Sequence, residues 1–291
     1  MRRETLAMIF LAPLFFGIFL FKLYPIYYSL ILSFSKIRFS EGSIVTTFSG
    51  LENWREILVD PSIHNVILVT TEFVAVTVVG GVLSALFLAL ILNVEFKGKR
   101  IFRVLCLIPW AMPSVIAGQV WRWLLNGEYG LVNTILLKLN LIDTPHVWLA
   151  DPSTALLWVM IAEIWKTTPF TLLMFLASLQ LIPQQLYDAA TIDGAGRLQR
   201  LRYVTIPIIK PTLLFVVILR IIWNFKAFDV IYMLTKGGPY ESTMVYYFYV
   251  WTQTFKYFNF GYGAALAYTL TIFLFVLTLL YIKVSRYGEI F

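Results

Sequence analysis

Residues 66–93 read VILVTTEFVAVTVVGGVLSALFLALILN, and Glu72 is the only charged residue in this run. A helix needs roughly 20 apolar residues to cross the hydrocarbon core of a bilayer. A strand of a membrane barrel needs only about 10 residues, in which apolar and polar side chains alternate. Because lipid offers no hydrogen-bond partners, the backbone of such a run must be satisfied within a helix. The run therefore predicts a transmembrane α-helix.

The whole chain shows the same character. Of its 291 residues, 59% are hydrophobic and 13% are charged, whereas soluble domains have roughly 45–50% and about 25%. This composition excludes a soluble globular protein. The six predicted spans are 6–34, 66–93, 104–125, 154–180, 212–234 and 263–282. We therefore predict an all-α integral membrane protein with one transmembrane domain over residues 1–291.

The basic residues predict the orientation of these spans. Arg2 and Arg3 precede the first span, and the segments on the same side carry about twice as many Lys and Arg as the opposite segments 36–65, 126–153 and 235–262. The positive-inside rule therefore places both termini in the cytoplasm. The net charge of +7 indicates basic loops at the membrane rather than a nucleic-acid groove.

The longest predicted cytoplasmic segment, residues 181–211, carries its own helix signals. Pro183 suits a first helical turn, and Asp193 with Gly194 suits the end of the helix. Small residues around Ala189 and Ala190 leave the backbone open to close approach by another surface. The segment therefore predicts a short docking helix, with a tight turn rich in small residues as the alternative.

A spaced motif occupies this segment. Asp188, Ala189 and Ala190 are followed after three residues by Gly194 and, nine residues later, by Val204-Thr205-Ile206-Pro207. The spacing resembles the EAA loop of ABC importer permeases, whose pattern is Glu-Ala-Ala, three residues, Gly, nine residues, Ile, any residue, Leu and Pro. The departures are Asp188 for Glu, Val204 for Ile and Ile206 for Leu, all chemically mild. The resemblance implies the type I ABC importer permease fold.

A second motif follows in the fifth predicted span. It consists of Trp223, Asn224, Phe225, Phe228, Asp229, Leu234, Thr235, Gly237, Gly238 and Pro239. This motif resembles the signature of carbohydrate-importer permeases of the maltose and glycerol-phosphate type. The resemblance implies a multi-pass subunit of an ATP-driven, binding-protein-dependent sugar importer in the plasma membrane of a prokaryote. It further implies a second permease as heterodimer partner, two ATPase subunits, an extracytoplasmic sugar-binding protein and a sugar substrate.

The family resemblance assigns coupling to the ATPase to the docking helix. The implied coupling residues are Leu186, Tyr187, Asp188, Ala189, Ala190, Ile192, Asp193, Gly194, Ala195 and Gly196. The sequence has no Gly-x-x-x-x-Gly-Lys-Ser/Thr stretch, which is the loop that cradles nucleotide phosphates. We therefore expect no catalytic residue and no cofactor in this chain, with ATP and Mg²⁺ bound by the partner ATPase subunits.

Charged residues within the fourth and fifth spans are candidates for substrate contact, because an ionisable group at a helix centre costs about 2.5–3.5 kcal/mol on insertion scales. Each span carries one polar and aromatic stripe at helical spacing, and such stripes suit the hydroxyls and C–H faces of sugars. The family's substrate-contacting positions fall on the same stripes. The predicted substrate-binding residues are Glu163, Trp165, Lys166, Thr167, Phe170, Arg220, Trp223, Asn224 and Ala227.

Several alternatives stay open at this stage. Glu163 could pair with Lys166 or Arg220 only to neutralise buried charge, and Lys226 could pair locally with Asp229. A neutral di- or oligosaccharide is the first choice, although Lys166 and Arg220 keep an anionic substrate open.

Other classes of protein are less favoured. A proton-coupled secondary transporter would use Glu72, Glu163 and Asp229, but no inverted repeat with paired broken helices is visible. A membrane-embedded enzyme would need a cluster of reactive side chains near the membrane surface, and none is spaced accordingly. We expect no metal site, because His64 and His146 lack partnered ligand spacing.

Overall fold

The computed structural model describes residues 3–40 and 43–287. Arg2, which belongs to the predicted cytoplasmic N-terminal segment, lies outside the described residues. The helices are α1 (Arg3–Ile18), α2 (Tyr24–Ser33), α3 (Glu52–Val59), α4 (Pro61–Asn93), α5 (Lys99–Ala111), α6 (Ser114–Leu124), α7 (Leu131–Lys138), α8 (Pro152–Gln180), α9 (Gln184–Ile192), α10 (Arg197–Arg200), α11 (Ile206–Phe225), α12 (Asp229–Leu234), α13 (Tyr246–Trp251) and α14 (Phe260–Tyr287). Short π-helical stretches cover Phe19–Leu23, Leu201–Thr205 and Thr252–Lys256.

Five stretches of helix in the described part of the chain are long and apolar enough to cross a membrane. They are Phe10–Ser33, Pro61–Asn93, Pro152–Gln180, Arg197–Phe225 and Phe260–Lys283. A sixth crossing is available if α5 and α6 together form one span, although the two helices meet at a bend of 99°. The helical membrane fold that the apolar runs predict is therefore confirmed. The crossing available to α5 and α6 is not one continuous helix.

The third predicted span, 104–125, is interrupted in its middle. Helix α5 ends at Ala111, and α6 begins at Ser114 after Met112 and Pro113. Proline lacks a backbone N–H and disfavours the helical conformation of the residue before it. Met112 accordingly adopts an extended backbone with ψ 140°. The break therefore follows from the sequence at Pro113, even though the surrounding residues are apolar enough for one helix.

The helix in the fifth predicted span, 212–234, ends before the predicted end of the span. Helix α11 stops at Phe225, and the chain turns before α12 begins at Asp229. Helix α12 then packs against α6, where a Cβ added to Gly118 would lie 2.5 Å from Cβ of Met233. Val230, Ile231 and Leu234 are buried, so α12 packs against a neighbouring helix instead of extending a span.

The described chain forms two compact units, one of Met1–His64 with Tyr249–Val276 and the other of Asn65–Phe248 with Leu277–Phe291. The prediction of a single transmembrane domain stays a prediction. The first unit contains the antiparallel hairpin of β1 (Ser35–Ser40) and β2 (Ser43–Phe48), in which Ser35 pairs with Phe48. Asn53 lies in the same unit and donates hydrogen bonds to the carbonyl oxygens of Ser33 and Ser35, both at 3.0 Å. These bonds hold α3 against the start of the hairpin.

A half-buried carboxylate, that of Asp60, connects several elements of the first unit. Asp60 accepts hydrogen bonds from the hydroxyls of Tyr249 and Tyr262, both at 2.6 Å, and from the amide of Ser62 at 2.9 Å. Partial burial by itself raises the pKa of Asp60, but these donors outweigh it and hold the pKa below its ordinary value. The carboxylate therefore links the start of α4 to α13 and α14.

Candidate functional site

The second unit contains a cavity of about 670 Å³ at the break between α5 and α6. Residues from α8 form one wall, and the turn from α11 into α12 forms another. The lining residues are Trp110, Met112, Pro113, Ser114, Glu163, Lys166, Thr167, Phe170, Trp223, Lys226, Ala227, Phe228, Asp229, Val230 and Tyr247. The cavity therefore unites the polar stripes of the fourth and fifth predicted spans.

Six of the nine predicted substrate-binding residues line this cavity. They are Glu163, Lys166, Thr167, Phe170, Trp223 and Ala227. Helical spacing brings the four residues of α8 to one face, whereas Ala227 lies in the turn after α11. Trp110, Ser114, Phe228 and Tyr247 are lining residues that the stripes did not include. Their signal in the sequence was weak, because they come from the helix break and from loops rather than from a regular stripe.

An aromatic wall occupies one side of the cavity. The ring of Phe170 lies between Trp110, at a centroid distance of 5.9 Å, and Trp223, at 4.9 Å. Trp110 and Trp223 keep 49% and 38% of their surface exposed. Exposed aromatic faces in a cavity offer packing surfaces for apolar faces of a ligand.

Lys166 makes hydrogen bonds to the backbone at the break between α5 and α6. Its ammonium group donates hydrogen bonds to the carbonyl oxygens of Pro109 at 3.0 Å and Trp110 at 3.3 Å, and also to that of Met112. These carbonyls lie where the broken helix can no longer satisfy them. Lys166 is itself only 8% exposed. The ammonium of Lys166 therefore satisfies carbonyl oxygens at the break, and the same side chain lines the cavity. Its contact with substrate stays a prediction.

Arg220 joins three helices through a buried hydrogen-bond network. Its guanidinium donates to Oγ1 of Thr171 at 3.0 Å, to Oγ1 of Thr167 at 3.1 Å and to the carbonyl oxygen of Thr77 at 3.0 Å. A Cβ added to Gly81 would lie only 1.8 Å from Nη2 of Arg220, so the close approach of the guanidinium to α4 requires glycine there. Arg220 is 2% exposed and lies outside the cavity lining.

Two further predicted residues lie away from the cavity. Trp165 lines a different, apolar groove, and its ring packs edge-on against Trp121 at 5.8 Å. Asn224 is 2% exposed and donates to the carbonyl oxygen of Arg220 at 2.9 Å. Its Oδ1 atom is buried and has no hydrogen-bond partner among the described residues. Both side chains share the stripes in sequence, but helix packing turns them to other neighbours.

The charged residues of the cavity are not joined in ion pairs. Within residues 3–40 and 43–287, no ion pair of 4 Å or less joins Glu163 to Lys166 or Arg220, or Lys226 to Asp229. The carboxylates of Glu163 and Asp229 and the ammonium of Lys226 therefore line the cavity without a described ionic partner.

The predicted docking helix is present as α9, with Pro183 at its N-cap and Asp193 at its C-cap. Gly194 follows with φ +79°, a conformation that favours glycine. Ile192 is 87% exposed, and no buried residue occurs in this helix. The hydroxyl of Tyr187 forms a hydrogen bond with Oγ1 of Thr205 at 3.0 Å. The helix is thus tied to the segment leading into α11 while its small and apolar residues face outward.

Known proteins share both the sequence and the fold of this chain. A family model described as binding-protein-dependent transport system inner membrane component matches residues 78–284. The trehalose/maltose transport system permease protein MalF of Thermococcus litoralis is 43% identical over 67% of this chain and 66% of that protein. The sulfoquinovosyl glycerol transport system permease protein SmoG of Agrobacterium fabrum is 34% identical over 97% of this chain and 91% of that protein.

A solved structure confirms the permease fold. It is a bacterial ABC transporter involved in the import of the acidic polysaccharide alginate, which matches with a TM-score of 0.86 over 98% of this chain and 96% of the matched chain, at 22% identity. The expectation of a membrane transport subunit whose ATPase lies in a separate chain agrees with these matches. The chain belongs to the family of inner membrane components of binding-protein-dependent transport systems.

Proposed function

We propose that the chain is one permease subunit of an ATP-driven importer for a neutral di- or oligosaccharide, and that the sugar passes through the cavity at the α5–α6 break. The observation that carries this proposal is the combination, in one cavity, of the aromatic wall with Glu163 and Asp229. Two relatives named above are permeases of sugar or glycoside transport systems. Their names support a carbohydrate substrate for this chain.

The cavity offers both kinds of contact that a sugar needs. Aromatic rings pack against C–H faces, while carboxylates and hydroxyls bind sugar hydroxyls. Phe170 and Trp223 supply the first kind, and Glu163 with Thr167 supplies acceptors. The first backbone N–H groups of a helix have no acceptor within that helix. The start of α6 at Ser114 therefore adds donors to the cavity wall.

The charged side chains that line the cavity favour a neutral substrate over an anionic one. Arg220 is buried in its network with threonine residues, and the ammonium of Lys166 is engaged by backbone carbonyls. Donors of both cations are thus engaged, although each keeps its positive charge. In the lining, Lys166 and Lys226 balance the two carboxylates of Glu163 and Asp229. The lining therefore has no surplus of positive charge that would select an anionic sugar.

The assembly follows the pattern that the sequence resemblance implies. We propose a heterodimer with a second permease, two ATPase subunits that bind ATP and Mg²⁺, and an extracytoplasmic binding protein that delivers the sugar. Helix α9 would seat in the ATPase, since the exposed small residues Ala189, within the helix, and Gly194, just after its end, permit close approach. This arrangement places both termini and the 181–211 segment in the cytoplasm. The proton-coupled alternative gains no support from the family.

Transport then requires that closure of the ATPase subunits is coupled to the change of the helix bundle between its two open states. Closure of the ATPase subunits on ATP moves α9, and the helix bundle changes from inward-open to outward-open. A ligand shifts such an equilibrium only by its differential affinity for the two states. Sugar, binding protein and ATP must therefore all favour the same state.

The test uses the complex purified from its native membrane with its bound subunits. Sugar-stimulated ATPase activity and uptake into proteoliposomes are measured for Trp223→Ala, with Trp165→Ala as the matched control. Loss of a packing ring should raise the half-saturating sugar concentration about five- to tenfold for Trp223→Ala. Trp165→Ala should leave it within about twofold. The opposite order of effects would overturn the cavity assignment, and a complex without ATPase would overturn the importer assignment.

A further inference from the structure

A basic pocket of about 460 Å³ lies at one end of the helix bundle in the second unit. It is formed by the end of α4, the start of α5 and the end of α8. The lining residues are Asn93, Glu95, Lys99, Arg100, Arg103 and Gln180. The segment that contains α9 leaves α8 at this same end. None of these residues lines the sugar cavity.

The charges in this pocket are only partly satisfied. Lys99 donates to Oε1 of Glu95 at 2.6 Å and to the carbonyl oxygen of Asn93 at 3.4 Å. Arg103 donates through Nη2 to the carbonyl oxygen of Leu92 at 3.3 Å. Its Nε atom is buried and has no hydrogen-bond partner among the described residues. Three cations therefore face one carboxylate, which is already paired, and the pocket keeps a surplus of positive charge and donors.

The start of α5 adds to this positive potential. Lys99 is the first residue of the helix, and Gly98 precedes it with φ +90°. The N-terminus of a helix carries partial positive charge and free N–H groups, and it favours anions such as phosphate. Helix α5 is 13 residues long, so its N-terminus reinforces the side-chain cations.

The same three helices form a second, apolar groove of about 580 Å³. Its lining includes Leu88 from α4, Phe102 and Leu105 from α5, and Leu172 from α8. Phe102 and Leu105 are each more than half exposed. The groove is therefore an open apolar surface on the side of the bundle, and Phe102 lies next to Arg103 in the sequence.

The spacing of the two features matches a lipid. On α8, Gln180 of the basic pocket and Leu172 of the groove are eight residues apart, which is about 12 Å at the helical rise. Half of the hydrocarbon core is about 15 Å thick. A headgroup at the basic pocket would therefore place its acyl chain along the groove within one leaflet.

We propose that α4, α5 and α8 bind one anionic phospholipid, with its phosphate at Lys99, Arg100 and Arg103 and an acyl chain in the apolar groove. Basic pockets between transmembrane helices recognise anionic headgroups by this chemistry. The pairing of a cationic end with an apolar groove distinguishes this occupant from a purely apolar helix of a partner. The inference does not rest on the identity of the transported sugar.

The first test measures lipid retention by native mass spectrometry of the complex purified with its bound subunits. Phosphatidylglycerol and phosphatidylcholine are compared for the unmodified chain and for the double variant Arg100→Gln/Arg103→Gln. Losing two cations should weaken phosphatidylglycerol binding about 25-fold. The matched control Arg197→Gln/Arg202→Gln removes the same charge outside the pocket and should change binding less than about twofold. Equal retention by the two double variants would overturn the proposal.

The source of the phosphate is distinguished in the same experiment. Inorganic phosphate is titrated against the complex as a free anion. We expect phosphatidylglycerol to bind while inorganic phosphate at the same concentration does not displace it. Binding of inorganic phosphate without preference for phosphatidylglycerol would overturn the lipid assignment.

The second test needs no substitution. Cys106 is the one cysteine of the chain and lines the groove. A lipid-soluble maleimide should therefore modify it more slowly in nanodiscs of phosphatidylglycerol than in nanodiscs of phosphatidylcholine. Fast modification in both lipids would overturn the proposal. Slow modification in both would overturn it as well, and would identify a helix of another subunit as the occupant.

Discussion

Lys166→Met tests whether Lys166 holds the helix break in place or binds the substrate. Methionine keeps a similar length but removes the ammonium group that donates to the carbonyl oxygens of Pro109, Trp110 and Met112. Hydrogen bonds between membrane helices contribute roughly 0.6–1.7 kcal/mol each. Loss of three such bonds should therefore lower the free energy of unfolding by about 2–5 kcal/mol.

Lys226→Met is the matched control. Lys226 lines the same cavity, but its side chain is exposed and makes no hydrogen bond to a described residue in the structure. We expect its replacement to change the free energy of unfolding by about 0.5 kcal/mol or less.

The assay is reversible unfolding of both variants in mixed micelles, together with the half-saturating sugar concentration of the complex. The reasoning is refuted if the two variants lose the same stability. It is also refuted if Lys166→Met abolishes sugar binding while its unfolding free energy stays unchanged, because Lys166 would then act on the substrate directly.

Three further predictions follow from single contacts. Gly81→Ala should cost about 1–3 kcal/mol of unfolding free energy, since its Cβ would overlap the hydrogen-bonded guanidinium of Arg220; a change below 0.5 kcal/mol in the same micelle assay would contradict this. Gly194→Trp should cost about 1–2 kcal/mol of unfolding free energy, because its φ of +79° strains any side chain, but it should still insert into the membrane, since no described atom lies within 4 Å of an added Cβ. It should abolish ATP-driven uptake, and retained uptake would remove the coupling role. The lowered pKa of Asp60 predicts a contribution to stability that is present above pH 3.8 and is lost as the pH falls through the folded-state pKa. In an acid titration of stability, Tyr249→Phe should move this loss to higher pH. An unchanged titration would exclude the hydrogen bond from Tyr249 as the cause of the lowered pKa.

Helical spacing predicted much of the cavity. Residues 163, 166 and 170 repeat at helical intervals, and all three line the cavity. The same spacing could not separate Trp223 from Asn224, because neighbouring positions on a stripe diverge by about 100° around the helix. Trp223 faces the cavity, whereas Asn224 is buried beside Arg220.

The short docking helix was also predictable, because proline and glycine mark its ends locally. Pro183 lies at the N-cap, and Gly194 has the positive φ that the end of the helix requires. The pairing of β1 with β2 was not predicted from the sequence. Pairing between two strands depends on contacts across the turn and on their neighbours, and in this chain Asn53 supplies part of that support from α3.

The amino-acid sequence by itself determined that this protein lies in a membrane. It also determined the family to which the protein belongs. Apolar runs of about 20 residues have low free energy only in lipid, and their backbones must then be helical, so composition and length suffice for that conclusion. Only the tertiary structure decided what the buried charges do. Lys166 reaches the carbonyls of a helix break 54 or more positions away, and Arg220 reaches Thr77 across 143 positions. The role of a charged side chain depends on the partner it meets, and packing between distant helices selects that partner.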